Sequence, residues 1–334
     1  MTLFGIFGRS TPPAAPPEAA PTVVFPAAVT IAPNDPSKRA QTNYAAALLS
    51  HLAYENNETK VRDTLTGLGF TDIKLFGWDM KGTTQAIIAR KGDVVTVTFR
   101  GTQDNGDVGA NLPATNPEVD SDLSGNEVQG DAFKKAKVHR GFRDSLAELW
   151  DPDKNGENGQ RLVKAQQATL LSTLQTEASK LGTQFMFTGH SLGGAQATLA
   201  ATYVSLQNPA RNSRVTMLPN VASVITFGSP KVGNEAFVTE YDKALGKVTR
   251  PFEHNNDIVR AMPPGLGYRQ VGEQHLVKLQ AADPANPPGL RDSHRMDNYV
   301  ERMATEAAKE IAASSRPVAA AVRPRAFFDE FVAA

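Results

Sequence analysis

Apolar residues change period several times along the chain, and each change marks an element. In "AQTNYAAALLSHLAYENN", Ala45, Leu48, Leu49 and Leu52 recur at three- and four-residue intervals, the spacing of one helix face. "ETKVRDTLTGLGF" repeats the interval with Val61, Leu65 and Leu68 and predicts a second helix. "TQAIIARKGDVVTVTFRGT" then holds two β-rich runs parted by Lys91-Gly92-Asp93, a hairpin signal. Further helices are predicted around "FRDSLAELW" and within "GQRLVKAQQATLLSTLQTEASKLG". "TQFMFTGHSLGGAQATLAATYV" reads as strand, sharp turn and helix. Strands are predicted in "ASVITFGSP" and "KVTRPFEHNND", a late hairpin in "YRQVGEQHLVKLQ", and a last helix over "MDNYVERMATEAAKEIAAS", stopping before Pro317. Strands alternating with helices predict an α/β fold around a central, mostly parallel sheet.

The periodic region is bounded on both sides. Residues 1–38 are rich in Pro and Ala and predict a flexible arm. Residues 39–312 are expected to form one α/β domain, and 313–334 a tail. Inside the domain, 103–131 is polar, rich in Gly, Asn and Asp, and long for a loop, which predicts a functional or disordered segment.

Bulk composition narrows the chemistry. The 334 residues are 40% hydrophobic, ample for a core, and Lys+Arg and Asp+Glu both number 35. A net charge of zero argues against nucleic acid, which calls for a basic face. There are no cysteines, which excludes disulfides, thiolate catalysis and cysteine-bound zinc. No apolar run reaches the length of a membrane span. The opening "MTLFGIFGRS" lacks a basic region and is too short and glycine-broken for a signal peptide. The expectation is a soluble protein, cytoplasmic or exported without a signal peptide.

Gly189-His190-Ser191-Leu192-Gly193 stands where strand should become helix, the setting of a nucleophile elbow. Glycines two before and two after the serine leave room for a tight turn, and the following helix aims its first amides at the same spot. A serine hydroxyl needs a base and an orienting carboxylate, expected later in the chain in the order Ser, Asp, His. His190 adjoins Ser191, so its side chain should point away into the packing, which makes it structural. Of the later histidines, His254 lies too close to Asn255-Asn256-Asp257, and His275 sits in a strand-like run. His294 lies in a loop before the last helix and can reach across the sheet top. Asp257 stands at a strand end, where such sheets place their sites, whereas Asp242, Asp283 and Asp292 read as solvated charges. The residue chemistry therefore selects Ser191, Asp257 and His294.

Six stretches now bear on one family: "VTVTFRGTQD", "VHRGFRDSL", "FTGHSLGGAQATLAA", "VITFGSPKVGN", "NNDIVRAMPP" and "SHRMDNYVE". In this order, over roughly residues 40–310, they resemble the class 3 lipases, the fungal-type triacylglycerol lipases of the α/β-hydrolase fold and their bacterial relatives. The resemblance implies the triad Ser191, Asp257 and His294, and an oxyanion hole from Thr102 and the amide of Leu192. It implies a triacylglycerol lipase or carboxylesterase working through an acyl-enzyme without a cofactor, on acylglycerols or other esters at a lipid–water interface. Phospholipase A1 or feruloyl esterase activity would use the same machinery. A noncatalytic lipid-binding module is the reading from another class.

Two departures from the family bear on substrate. The stretch expected to form a lid, 103–131, is poor in apolar residues and lacks the tryptophan that often follows the oxyanion motif. Gln270 stands where relatives often carry histidine. Weak interfacial activation and a preference for short or medium acyl chains are therefore expected. Separately, Asp151, Asp153, Asn155 and Gly156 match the first half of an EF-hand loop, but its twelfth position is Leu162 instead of a bidentate glutamate, so no metal is expected there.

Overall fold

The computed structural model describes residues 23, 25–78, 84–102, 120–122, 135–150, 168–206, 221–264, 267–281, 284, 285, 287–289 and 292–314. The two apolar stripes nearest the start form α1 (Arg39–Leu52) and α2 (Glu58–Gly67). Asn57 caps α2 by accepting the Lys60 N–H, which satisfies one of the first unpaired amides. Then follow β1 (Thr71–Phe76), β2 (Ala86–Lys91), β3 (Val94–Phe99), β4 (Asp120–Asp122), β5 (Lys137–His139), α3 (Arg140–Trp150) and α4 (Leu170–Ala178). The second half comprises β6 (Gln184–His190), α5 (Leu192–Leu206), β7 (Val221–Phe227), β8 (Gly233–Asn234), α6 (Glu235–Leu245), β9 (Thr249–His254), β10 (Tyr268–Arg269), β11 (Val277–Leu279) and α7 (Met296–Ser314).

Among the described residues the main sheet runs β1-β2-β3-β6-β7-β9-β11. Its first two pairings are antiparallel and those from β3 onward parallel. The predicted hairpin is β2–β3, with Gly92 at φ +59 in its turn. Every residue of β3 and β7 is buried, so these strands must be covered on both faces. One core joins α3, α4, α5 and α6 to the sheet, and a second joins α1, α2 and α7 to its other face. This is the α/β-hydrolase architecture expected from the sequence.

α1 and α7 pack antiparallel. Glu310 near the end of α7 accepts the N–H groups of Ala40 and Gln41 at 2.8 and 3.1 Å, while His51 and Asp297 meet at 2.9 Å at the other end. Burial pushes the Glu310 carboxyl up, but the Ala40 and Gln41 amides, the Gln41 side chain and the charge of Lys38 together hold its pKa below the ordinary value, as a helix N-terminus does for an acid. Val23, Phe25 and Ile31 pack against this core and Val29 is buried in it. Among the described residues no helix is long and apolar enough to cross a membrane.

Beyond the short strands β4, β5 and β8 and helix α6, which the pattern does not predict, two further elements depart from the sequence reading. β1 was not anticipated. It is an edge strand with one apolar face, and its pairing with β2 slips between Thr71 and Lys74, where Asp72 takes φ +52. The predicted late hairpin does not form, because β10 pairs with β8 in a small second sheet while β11 joins the main sheet parallel to β9. Gly272, at φ +61, opens a 3-10 turn over Glu273–His275 that sends the chain from one sheet to the other.

Leu48 has no exposed surface and faces the α1 side of the sheet, so Leu48→Ala leaves a cavity beside the helix that faces α7. Urea unfolding should show a loss of about 3 kcal/mol; a loss below about 1 kcal/mol would mean that α1 carries little of the core.

Candidate active site

β6 ends at His190 and α5 starts at Leu192, so Ser191 alone makes the turn, at φ +57. That left-handed conformation costs a residue with a Cβ on the order of 1–3 kcal/mol. Neighbouring strands hold it there. The Ser191 N–H donates to the Phe227 carbonyl at 2.9 Å, and the Ser191 carbonyl accepts from Gly194 at 2.9 Å. The flanking glycines are a steric requirement: a Cβ on Gly189 would stand 2.2 Å from the Gly193 oxygen, and one on Gly193 2.3 Å from the Phe99 oxygen. The start of α5 therefore lies against the end of β3. Gly101 is pinned likewise, since its Cβ would stand 2.7 Å from the His190 oxygen and 3.2 Å from Ser191 Cβ. Thr102 is the next residue in the chain, and Leu192 contributes one of the unpaired amides that open α5.

The chain after β9 delivers the carboxylate. Asn255 takes φ +48, and Asp257 then caps the 3-10 turn Ile258–Ala261, its Oδ1 accepting the Val259 N–H at 2.9 Å. His294 ends another 3-10 turn, Asp292–His294, immediately before α7. Its Nδ1 lies 2.9 Å from Asp257 Oδ1 and 2.8 Å from Oδ2. The Tyr299 hydroxyl donates to Oδ2 at 2.6 Å and accepts the His254 N–H at 3.0 Å. Burial pushes the Asp257 carboxyl up, but the bonds from His294, Tyr299 and Val259, with the charge of His294, leave its pKa below the ordinary carboxylate value. An ionised carboxylate only accepts, so Nδ1 of His294 carries a proton, and in the neutral ring it is Nε2 that presents the lone pair. That Nε2 is buried and has no hydrogen-bond partner among the described residues.

Gly228, at φ +54, ends β7 beneath this pair. A Cβ there would stand 2.3 Å from Asp257 Oδ2 and 2.9 Å from His294 Nδ1, so the close approach depends on glycine. Gln270 donates to the carbonyls of Ser229 and Arg260 at 3.1 and 2.8 Å, and so ties the chain after β7 to the turn that carries Asp257. Arg260 is held by Glu253 at 3.2 Å and Glu273 at 2.7 Å. A cavity of about 660 Å³ on that side is lined by Asp257, Lys231, Arg260, Glu253, Glu273 and Tyr268 among others.

His190 is buried, with Nε2 2.6 Å from the His294 carbonyl and Nδ1 2.7 Å from the Tyr54 hydroxyl. A carbonyl only accepts, so Nε2–H donates to it and Nδ1 accepts from Tyr54. Burial foremost, and then the neighbouring His294 charge, push the His190 pKa down to about 3, which keeps the ring neutral. The remaining candidates lie elsewhere. His254 is buried and directs Nδ1 to the Ser293 carbonyl at 3.1 Å. His275 and Asp292 are exposed. Asp242 is half-buried and accepts the Gly272 N–H at 2.8 Å, burial raising its pKa, so it is a turn anchor and no solvated charge. Asp283 and the stretch Asp151, Asp153, Asn155, Gly156 and Leu162 lie outside the described residues, as does 103–131 apart from β4.

The structure thus brings Asp257 and His294 into direct contact and packs Gly101, the residue before Thr102, against Ser191. Ser191 is 2% and His294 4% exposed. The sequence reading missed Tyr299, Gly228 and Tyr54. Only Tyr299 left a signal, as a tyrosine on the inward stripe Met296, Tyr299, Val300, Met303 of α7, where a hydroxyl must find a buried partner.

The sequence matches the family model of lipase (class 3) over residues 96–266. It is 32% identical to a lipase of Rhizopus niveus over 146 residues, 43% of this chain and 31% of that one. It is 27% identical to phospholipase A1-II 3 of Oryza sativa subsp. japonica over 179 residues, 52% of this chain and 41% of the relative. A secreted mono- and diacylglycerol lipase 1 of Fusarium solani is 38% identical over 98 residues, 28% of this chain and 25% of that one. The chain therefore matches well under half the length of these relatives. In fold it is similar to the crystal structure of M37 lipase, with a TM-score of 0.59 at 14% identity over 81% of this chain and 98% of that one.

A neutral buried His190 makes stability depend on pH. Its folded pKa lies below the value of about 6.5 in the unfolded chain, so its contribution is whole above that pH and is lost as pH falls toward 3. At pH 5 the loss is about 2 kcal/mol. Urea unfolding at pH 7.5 and pH 5 should show this increment in the wild type and not in His190→Gln; equal pH dependence in both would contradict a neutral His190.

Proposed function

The chain belongs to the class 3 lipase family, and from that membership and the arrangement at Ser191 we propose that it is a serine carboxylester hydrolase acting on acylglycerols or related esters. The observation that carries the reading is the bidentate approach of His294 Nδ1 to Asp257, at 2.9 and 2.8 Å. It fixes the tautomer that leaves Nε2 as a base, at the sheet end where the Ser191 turn is strained.

In the proposed reaction Ser191 Oγ attacks the ester carbonyl while His294 Nε2 takes its proton. The C–O bond to the alcohol breaks as His294 returns that proton to the departing oxygen, leaving the acyl group on Ser191. Water then attacks the acyl-enzyme and gives a proton to His294 Nε2; the acyl C–O bond to Ser191 Oγ breaks as that proton passes to Oγ, which releases the acid and restores the serine. Asp257 holds the ring and stabilises the imidazolium without taking the proton. The backbone amides of Thr102 and Leu192 are the proposed oxyanion donors, each worth about 3 kcal/mol in the transition state. The tight packing of Gly101 and Gly193 around the elbow supports this, because it leaves both segments little freedom to drift. No step calls for a cofactor.

Phospholipase A1 chemistry is a second reading, favoured by the rice relative's description. The same Ser191 would cleave either ester, so the substrates discriminate. Turnover of tributyrin well above that of dioctanoyl phosphatidylcholine is expected, and the reverse order would make the protein a phospholipase A1. With p-nitrophenyl butyrate, Ser191→Ala should lower kcat by about 10⁵-fold or more and Asp257→Asn by about 10⁴-fold. Either variant retaining a tenth of wild-type activity would contradict the assignment.

A further inference from the structure

His190 has no part in the reaction above, yet both of its ring nitrogens are bonded beside it. Ser191 and His190 are consecutive, and their side chains leave opposite sides of the end of β6. The His190 ring spans from that strand to the main chain of His294, 2.6 Å from its carbonyl oxygen, and lies 4.4 Å from the His294 ring at 30°. Tyr54, just after α1, supports the far nitrogen at 2.7 Å. Its hydroxyl stands 2.1 Å from where a Gly101 Cβ would be, so the same phenol also abuts the chain leading into Thr102. The guanidinium of Arg100 lies over the Tyr54 ring, 5.8 Å from its centroid.

We propose that His190 and Tyr54 are positioning residues, a clamp that sets the distance between Ser191 and His294 by tying the main chain of the base to the strand that carries the nucleophile. This rests on the reading of Ser191 and His294 as nucleophile and base.

The need for a clamp follows from where His294 sits. It ends a three-residue 3-10 turn, so no strand ladder fixes its backbone. Asp257 and Tyr299 govern which way the ring faces, but a ring anchored only at Nδ1 can swing about that contact. The His190 bond removes this freedom from the backbone side. Its direction is dictated by chemistry, because the carbonyl accepts, Nε2 must donate, and Nδ1 must take the phenol proton. An aromatic hydrocarbon would fill the same volume without burying two nitrogens. The titratable groups around His190 are Tyr54, Tyr299, His294, Asp257 and Asp297, and a neutral ring among them adds no positive charge beside the imidazolium that forms on His294.

Three variants test the clamp with p-nitrophenyl butyrate. His190→Leu removes both bonds, Tyr54→Phe removes the outer one, and His190→Gln keeps an N–H within reach of the His294 carbonyl. His190→Leu should lower kcat about 30-fold with KM within about two-fold, the signature of lost alignment and not of lost binding. Tyr54→Phe should lower kcat about five-fold, and His190→Gln should return it to within about three-fold of wild type. A His190→Leu enzyme with wild-type kcat, or a His190→Gln enzyme no better than His190→Leu when both are folded, would overturn the clamp. If His190→Leu does not fold, Tyr54→Phe decides, and an unchanged kcat there overturns it. Ser191→Ala run in parallel separates the two claims. Activity surviving in it contradicts the nucleophile, whereas a silent His190→Leu beside an inactive Ser191→Ala removes the clamp alone.

Discussion

A carboxylate and an imidazole can stay buried against each other only if the polar atoms of the pair are almost all satisfied. At Asp257 each oxygen has two donors: Oδ1 receives His294 Nδ1 and the Val259 N–H, and Oδ2 receives His294 Nδ1 and the Tyr299 hydroxyl. Those bonds overcome the cost of burying a charge. They come from the turn after β9 and from both ends of the His294–α7 junction. One atom, His294 Nε2, remains over. In an apolar core that would be a defect; in the proposed reaction it is the atom that takes the Ser191 proton.

The rest of the fold serves this pair by controlling how closely backbones approach. Gly228 gives up its side chain so that Asp257 Oδ2 and His294 Nδ1 can lie over the end of β7. Gly189, Gly193 and Gly101 do the same where β6, α5 and the end of β3 converge on Ser191. The ends of β3, β6 and β7 and the start of α5 are thereby packed at distances that a Cβ at those four glycines would not allow. Rigidity at this edge comes from elements further away. The antiparallel α1–α7 packing fixes the helix that begins at Met296, and Gln270 braces the turn that holds Asp257.

Much of this was legible in the sequence, for reasons that differ between elements. α7 is recovered at both ends because its stripe is regular and it stops ahead of Pro317. The contact of Asp257 with His294 follows from strand-end placement and the order of the motifs. β1 escaped notice because an edge strand covered on one side carries little apolar signal, and the late hairpin failed because local pairing propensity does not reveal a partner in another sheet. Tyr54 and His190 illustrate a deeper limit. They are 136 residues apart, and nothing local to either says that one phenol will meet one imidazole. The tautomer that orders them depends on a carbonyl another 104 residues away.

The claim on which the functional reading stands is that Ser191 is the group that becomes acylated. Treating the protein with a fluorophosphonate and mapping the adduct by peptide mass spectrometry tests it without choosing a substrate. A single adduct on Ser191, formed in step with the loss of esterase activity, is the expected result. Activity that survives full labelling of Ser191, or inactivation with the label on another residue, would contradict it.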